Sequence, residues 1–236
     1  MELALEAVND ASTTIAERVR RLRSEVAELA RSANRNPAEI TIVAVSKVHP
    51  REFVLAAYDA GMRDFGENHV QEAIPKLDGL PPDARRHFIG HIQTNKAKAI
   101  ASAFDLVQSV DRLDAGLALA KAARTLNKPV RALLQLNISS ADRYGMLPEQ
   151  APEFAARLRD AGLKVEGAMA MAPFTPDKRV VRDAFLRAAH AHARIGGPIL
   201  SLGMSADWPV ALECGTTMIR IGTAIFGPRS KKGGTS

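Results

Sequence analysis

Residues 40–50 read ITIVAVSKVHP, an apolar β-branched run followed by a lysine and then a proline. Alternate side chains of a strand share one face, which here would carry Thr41, Val43, Val45 and Lys47. Because both faces are apolar, the run predicts a strand of a parallel sheet with Lys47 at its carboxyl end. Active sites of α/β barrels are built at that end. Apolar neighbours lower a lysine pKa and favour Schiff-base chemistry, while a strand-end lysine that extends into water is the alternative.

From this strand outward, strand-like and helix-like segments alternate along the chain. Residues 51–60 have a helical pattern ended by Gly61, and the order continues through about eight strands, with 218–226 as the last. No helix is predicted after that strand. The strict order predicts the α/β class and a single (β/α)8 TIM barrel, although periodicity alone leaves an open doubly wound sheet as an alternative.

A long amphipathic helix is predicted before the barrel, within residues 1–35. Its apolar stripe consists of Ile15, Val19, Leu22, Val26 and Leu29. We expect this helix to cover the gap left after the last strand. The barrel and this helix form one predicted domain over residues 1–229, and the small, basic residues 230–236 are predicted to be a disordered tail.

Composition narrows the class of protein. The 236 residues carry a formal charge of +6, but basic residues are mixed with acids and aromatics are only 5%, which argues against nucleic-acid binding. The single cysteine, Cys214, excludes an internal disulfide framework and a cysteine-rich zinc site. No metal is predicted, since His190 and His192 would lie on different helix faces. We see no signal peptide and no membrane span, so the cytoplasm is the expected location.

Polar residues follow several predicted strands, and the last two strand ends carry the most information. In many barrels the loops after strands seven and eight bind a phosphate. Ser205 precedes a short predicted helix, and Gly222 and Thr223 follow Arg220 on the last strand. The alternative to a phosphate site is that Ser205 is only an N-cap and Gly222 only a turn former.

Arg220 stands in an otherwise apolar run, and a buried arginine needs a partner. The predicted partner is a barrel acid such as Glu67 or Glu166, or else a ligand. A Schiff-base lysine, a phosphate cup and an arginine on one barrel rim are the parts needed to hold pyridoxal 5′-phosphate. A Schiff-base aldolase without a cofactor would explain Lys47 and the phosphate cup but not Arg220.

Five runs of sequence carry a specific resemblance. They are VAVSK (43–47), FGEN (65–68), HFIGHIQTNK (87–96), LSLGMSAD (200–207) and GTTMIRIGTAIFG (215–227). In this order, over residues 40–229, the chain resembles the YggS/PROSC family of pyridoxal phosphate homeostasis proteins, which are similar in fold to the barrel domain of alanine racemase.

The resemblance implies a role for each candidate residue. Lys47 would form the internal aldimine with pyridoxal 5′-phosphate, and Arg220 would face the pyridine nitrogen. The phosphate would be bound by Ser205, Gly222 and Thr223, with Asn68 lining the same pocket. An arginine at the ring nitrogen disfavours its protonation and weakens the ring as an electron sink. The implied function is intracellular cofactor homeostasis, in which the chain buffers pyridoxal phosphate or delivers it to apo-enzymes without robust catalysis.

The alternative function is an amino-acid racemase that uses the same cofactor. Two-base racemisation needs a second acid/base group, which a tyrosine of a second domain supplies in alanine racemases. That domain is expected to be absent here, which also favours a monomer. Tyr144 and His91 are then the candidates for the second acid/base group. The chain departs from the family at Arg143, where a lysine is usual, and in the short loop over residues 171–176.

Overall fold

The computed structural model describes residues 2–139 and 143–228, with the backbone alone for residues 2–11. Eight parallel strands form a closed barrel in the order β1 to β8, and helices follow the strands around it. The predicted (β/α)8 barrel is therefore confirmed. The predicted disordered tail over residues 230–236 lies outside the described residues.

The strands are β1 Thr41–Val45, β2 Asp64–Glu67, β3 Arg85–Phe88, β4 Leu106–Val110, β5 Arg131–Leu136, β6 Lys164–Ala170, β7 Ile199–Ser201 and β8 Met218–Ile221. The α-helices are α1 Glu2–Ser32, α2 Arg51–Asp59, α3 Val70–Leu77, α4 Ala97–Ala103, α5 Leu113–Leu126, α6 Ala151–Asp160, α7 Lys178–Ile195, α8 Trp208–Glu213 and α9 Thr223–Phe226. Short 3-10 turns occupy Pro37–Glu39 and Thr94–Lys96.

Strand β1 closes the barrel by pairing with β2 on one side and β8 on the other. Val43 packs inside the barrel against Leu106, Leu133, Met169 and Met218, an apolar cluster drawn from five strands. The face of β1 that carries Val43 is therefore the one that points into the barrel. The strand is shorter than predicted, because it ends at Val45 and the next residues form a turn.

Helix α1 lies against the outside of the barrel, in contact with α2, α8 and α9. Its predicted stripe is buried at Ile15, Val19, Leu22 and Val26. Each such burial contributes about 1.5–3 kcal/mol relative to an exposed side chain. The helix therefore covers the seam where the first and last strands meet, as expected.

The prediction that the last strand runs to Phe226 is wrong. Strand β8 ends at Ile221, Gly222 turns the chain, and helix α9 follows. Ile225 and Phe226, which looked like the end of a strand, are buried on this helix. The apolar pattern was read correctly as core, but four residues are too few to separate helical from strand periodicity.

Across the ranges given above, no helix is long and apolar enough to cross a membrane, and no group of His, Cys, Asp and Glu side chains is suited to hold a metal ion.

Candidate functional site

A cavity of about 570 Å³ lies at the carboxyl ends of the strands. Its size falls within the range of small-molecule sites. Its lining includes all six residues selected from the sequence, which are Lys47, Asn68, Ser205, Arg220, Gly222 and Thr223. The structure thus brings together side chains from four strand ends, while their role in binding stays a prediction.

Lys47 lies in a tight turn just beyond β1. The His49 N–H donates to the Ser46 carbonyl at 3.1 Å and closes the turn. Val48, at the next position, has a φ of 64°, a left-handed conformation that β-branched residues rarely adopt. The rings of His49 and Phe226 lie 5.1 Å apart and connect this turn to α9. Strained backbone of this kind persists only where the surrounding structure fixes it. Here the fixed turn holds Lys47 at the cavity.

A buried ion pair lies behind this turn. Lys76 Nζ donates to Glu67 Oε1 at 2.7 Å and to the Ser46 carbonyl at 3.0 Å. The Ser46 hydroxyl donates to the same carboxylate oxygen at 2.7 Å. Glu67 is fully buried, so Lys76 compensates a charge that would otherwise be costly. Sequence reasoning missed Lys76, because nothing in its helix marks it as the partner of a strand residue.

Arg220 is buried among neutral acceptors. Its Nη1 donates to the Ser201 hydroxyl at 2.7 Å and to the Ser201 carbonyl at 2.8 Å, and its Nη2 donates to the Ala170 carbonyl at 2.9 Å. Burial lowers the pKa of Arg220 to about 10, while the nearby Asp207 carboxylate acts in the opposite direction. The guanidinium is therefore still charged at neutral pH.

The predicted ion pair of Arg220 with Glu67 or Glu166 is wrong. Glu67 pairs with Lys76, and Glu166 pairs with Arg131 at 2.7 Å. No carboxylate within residues 12–139 or 143–228 forms an ion pair with Arg220. The sequence does not give these pairings, because they depend on the depth in the barrel that each side chain reaches.

Asn68 is held by an unusually close backbone contact. A Cβ atom at Gly90 would lie 1.9 Å from the Asn68 carbonyl oxygen, so only glycine fits at that position. The Asn68 Oδ1 atom is buried and finds no hydrogen-bond partner among the residues that the structure describes. An orphaned polar atom on a cavity wall is a position at which a ligand donor would be favourable.

Two turns form the remaining polar wall. Ser205 lies in the turn before α8, and its predicted N-cap role is wrong because the helix begins at Trp208, after Asp207. Gly222 precedes the first residue of α9, Thr223. The first N–H groups of α9 have no partner within that helix, so they and the Ser205 and Thr223 hydroxyls are donors at this side of the cavity.

His91 and Tyr144 lie at the mouth of the cavity. Their ring centroids are 4.4 Å apart, and His91 Nδ1 lies 3.3 Å from the buried Asp111 carboxylate. The main chain of Tyr144 accepts a hydrogen bond from Gln135 Nε2 at 3.0 Å. Arg143, at the position where the sequence departs from the family pattern, donates to the Ala172 carbonyl at 3.1 Å and so connects two rim loops.

The charge balance of the cavity indicates its ligand class. Lys47 and Arg220 line it, and none of the described lining residues is Asp or Glu. Val45, Ile89 and Met169 add an apolar surface. Two cationic side chains, a set of hydroxyl and N–H donors and an apolar wall suit an anionic, partly apolar small molecule. The fold and the site thus define a (β/α)8 barrel with a lysine and an arginine lining a cavity at the carboxyl ends of its strands.

Comparisons with known proteins narrow this class. The family described as alanine racemase, N-terminal domain, matches residues 18–230. A pyridoxal phosphate homeostasis protein of Pseudomonas aeruginosa is 39% identical, with 92% of this chain and 96% of the relative covered. Its Escherichia coli counterpart is 35% identical, with 92% and 99% covered. The structure of PipY from Synechococcus elongatus with pyridoxal phosphate bound is 34% identical, with a TM-score of 0.80 over 90% of this chain and 100% of that one. The chain therefore belongs to the alanine racemase N-terminal domain family and, within it, to the pyridoxal phosphate homeostasis proteins.

Proposed function

We propose that this protein binds pyridoxal 5′-phosphate in the cavity and takes part in intracellular homeostasis of that cofactor by holding and delivering it. The observation that carries the proposal is the convergence of Lys47 and Arg220 on one cavity of about 570 Å³ whose described lining has no carboxylate. The family, and the cofactor bound in PipY, support the same assignment.

The donor set fits the cofactor at each of its reactive or charged positions. When bound, pyridoxal phosphate supplies an aldehyde that condenses with primary amines and a ring that withdraws electrons. Lys47 offers the primary amine of the cavity. Ser205, Gly222 and Thr223 offer hydroxyl and helix-start N–H donors suited to a phosphate dianion.

Arg220 favours storage of the cofactor over catalysis. With a pKa of about 10 it keeps its charge at neutral pH, and its acceptors are neutral carbonyl and hydroxyl groups. A positive charge beside a ring nitrogen disfavours protonation of that nitrogen. The residue thus allows binding while limiting the electron withdrawal on which carbanion chemistry depends.

The decisive experiment is an absorbance spectrum of the protein loaded with pyridoxal phosphate, before and after borohydride. We expect a band at about 420 nm that borohydride abolishes. The reduced cofactor should then stay covalently attached to the peptide that contains Lys47. Lys47→Ala should lack the band. Lys98→Ala, at an exposed position on α4, is the matched control and should keep it. A wild-type spectrum that stays featureless in excess cofactor would reject the proposal.

Amino-acid racemisation is a second candidate function, favoured by the contact of His91 and Tyr144 at the cavity mouth. The pair of rings, with Asp111 behind His91, could act as the acid/base group opposite Lys47. Racemase turnover that His91→Asn and Tyr144→Phe abolish, while cofactor affinity is unchanged, would establish it. Loaded protein without measurable turnover leaves the storage role.

Apo forms of pyridoxal phosphate enzymes are the recipients in this proposal. We also propose that the protein acts in the cytoplasm as a monomer, with residues 1–229 as one domain. Light scattering of the loaded protein tests the monomer, and transfer of cofactor to an apo-enzyme, followed by recovery of that enzyme's activity, tests delivery.

A further inference from the structure

A chain of hydrogen bonds crosses the barrel interior from Arg220 to the opposite end. The Ser201 hydroxyl, which accepts from Arg220 Nη1, donates to Gln108 Oε1 at 2.8 Å. Gln108 Nε2 lies 2.9 Å from His87 Nδ1, and His87 Nε2 lies 2.9 Å from Asp64 Oδ1. We call these five residues the relay.

The relay is buried throughout its length. Its members come from β8, β7, β4, β3 and β2, and each is less than a tenth exposed. At its far end Asp64 accepts two hydrogen bonds from Arg85, whose side chain is 56% exposed at the amino-terminal face. Arg220 at one end and Arg85 at the other are therefore connected through side chains alone.

Such a relay is an unusual use of a barrel interior. Bulky apolar side chains usually fill these positions, as they do here in the adjacent cluster of Val43, Leu106, Leu133, Met169 and Met218. A buried polar side chain contributes little to stability even when it is fully hydrogen-bonded, and costs stability when it is not. Core packing alone therefore gives no reason for Ser201, Gln108 and His87.

The donor and acceptor roles along the relay are mutually determined. A carboxylate accepts only, so His87 carries its hydrogen on Nε2, toward Asp64. The Gln108 amide nitrogen, which can only donate, faces His87 Nδ1, so Nδ1 accepts and Gln108 Oε1 is left to accept from Ser201. The Ser201 oxygen lone pair is thereby directed at Arg220. Every hydrogen points from Arg220 toward Asp64, so one group cannot reorient without the others.

We propose that Ser201, Gln108 and His87 are positioning residues, which hold the Arg220 guanidinium against the cavity in a single orientation. Asp64 anchors the relay by fixing the hydrogen of His87. The consequence for the ligand rests on the proposed function, because it assumes that Arg220 contacts pyridoxal phosphate. The positioning of Arg220 itself does not depend on that ligand.

The test has one readout without a ligand and one with it. The first is hydrogen exchange of the Arg220 side-chain N–H groups in the full chain, followed by NMR of protein labelled with ¹⁵N-arginine. Ser201→Ala removes one acceptor and keeps the carbonyl, and Gln108→Leu breaks the middle of the relay. We expect exchange to be faster by about tenfold or more in both. His192→Gln changes a partly buried histidine on α7, outside the relay, and should leave the exchange unchanged.

The second readout is affinity for pyridoxal phosphate, measured by titration of the absorbance band. We expect Ser201→Ala and Gln108→Leu to weaken binding by about tenfold, the effect of losing one well-placed charged hydrogen bond. Gln108→Glu keeps an acceptor for the Ser201 hydroxyl at the same position, so it should restore slow exchange and most of the affinity. A variant that simply damaged the core would show no such rescue.

The outcomes separate the two proposals. Exchange that is unchanged in Ser201→Ala and in Gln108→Leu would overturn the positioning role, whatever the affinities. The same holds if Gln108→Glu behaves like Gln108→Leu in both readouts. A third outcome is that exchange becomes faster in the variants as expected, but the wild-type protein binds no pyridoxal phosphate. That outcome would support the positioning role and reject only the proposed function.

Discussion

The two ends of the barrel use charged residues in opposite ways. At the amino-terminal end cations face acids, with Arg85 on Asp64 at 2.6 Å and Arg131 on Glu166 at 2.7 Å. At the carboxyl end Arg220 donates to neutral groups, and the described cavity lining has no acid. Paired charges close one end of the fold, whereas at the other end Arg220 and Lys47 line a cavity whose described lining has no carboxylate, which suits an anion. We therefore expect changes at the first end to alter stability and changes at the cavity to alter ligand affinity.

The largest effect should come from Lys76, a carboxyl-end lysine that is paired with an acid. Lys76→Met would leave the fully buried Glu67 without its ion-pair partner, at a cost of about 3–5 kcal/mol in the free energy of unfolding. Urea denaturation measures this loss. The double variant with Glu67→Gln should recover part of it, and Lys98→Met should cost little. A loss below about 1 kcal/mol would mean that this pair is not a structural element.

The next effect concerns Asp64, at the amino-terminal end. Burial raises the pKa of Asp64, but hydrogen bonds from His87 and Arg85 outweigh it and hold the pKa below its usual value. Ionised Asp64 therefore stabilises the fold above its unfolded pKa, and this contribution is lost as pH falls through the lower folded pKa. Asp64→Asn, which keeps an acceptor for His87, should cost about 1–2 kcal/mol at neutral pH.

The difference in the free energy of unfolding between wild type and Asp64→Asn should then close below about pH 4. Urea denaturation at a series of pH values from neutral to acid measures it. A gap of constant size over the whole series would show that lost packing, rather than lost charge, causes the effect. Affinity for pyridoxal phosphate at neutral pH should be nearly unchanged.

A matched pair of threonines compares the two ends directly. Thr223→Val removes a hydroxyl from the cavity wall and should lower pyridoxal phosphate affinity by about fivefold to tenfold, with little effect on stability. Thr217→Val, at the amino-terminal end, removes an acceptor for the Leu200 N–H and should lower stability by about 1 kcal/mol without affecting affinity. Titration and thermal melts of both variants suffice. The comparison between the ends fails if the two variants change affinity and stability in the same way.

The smallest effect should be at Val48. The residue is exposed and has a φ of 64°, so Val48→Gly relieves backbone strain but increases the entropy of the unfolded chain. We expect a net gain of about 0.5 kcal/mol in the free energy of unfolding. If the turn preorganises Lys47, cofactor affinity should fall slightly in the same variant. A net loss of stability would show that Val48 makes contacts that outweigh its strain.

The sequence was sufficient for those features that depend on local pattern. The stripe of α1 follows from periodicity, and its burial is confirmed. The end of β8 was not predictable, because an apolar run that continues from strand into helix α9 keeps its core-facing character throughout. The predicted ion-pair partners of Arg220 were also wrong, because the pairing depends on the depth in the barrel at which each strand places its side chains.

The relay shows which kind of interaction sequence reasoning overlooks. Gln108 and His87 each stand at an inward position of a short strand, and the hydrogen bond joins residues from adjacent strands. A single polar residue in an apolar run resembles a strand end or a surface position. The available signal was that neighbouring strands contain polar residues at buried positions, and it becomes meaningful only once strand order and register are known.

The closure of the barrel between β1 and β8 has a consequence for biosynthesis. Lys47 follows the first strand, whereas Arg220 and Thr223 belong to the last strand and the helix after it. A ribosome must therefore translate almost the whole described chain before the two halves of the cavity can meet. Pairing of such distant segments is slow, because the chain loses much entropy when they come together. A nascent chain cannot take up cofactor until the seam under α1 has formed, so a loaded cavity is a sign that folding is complete.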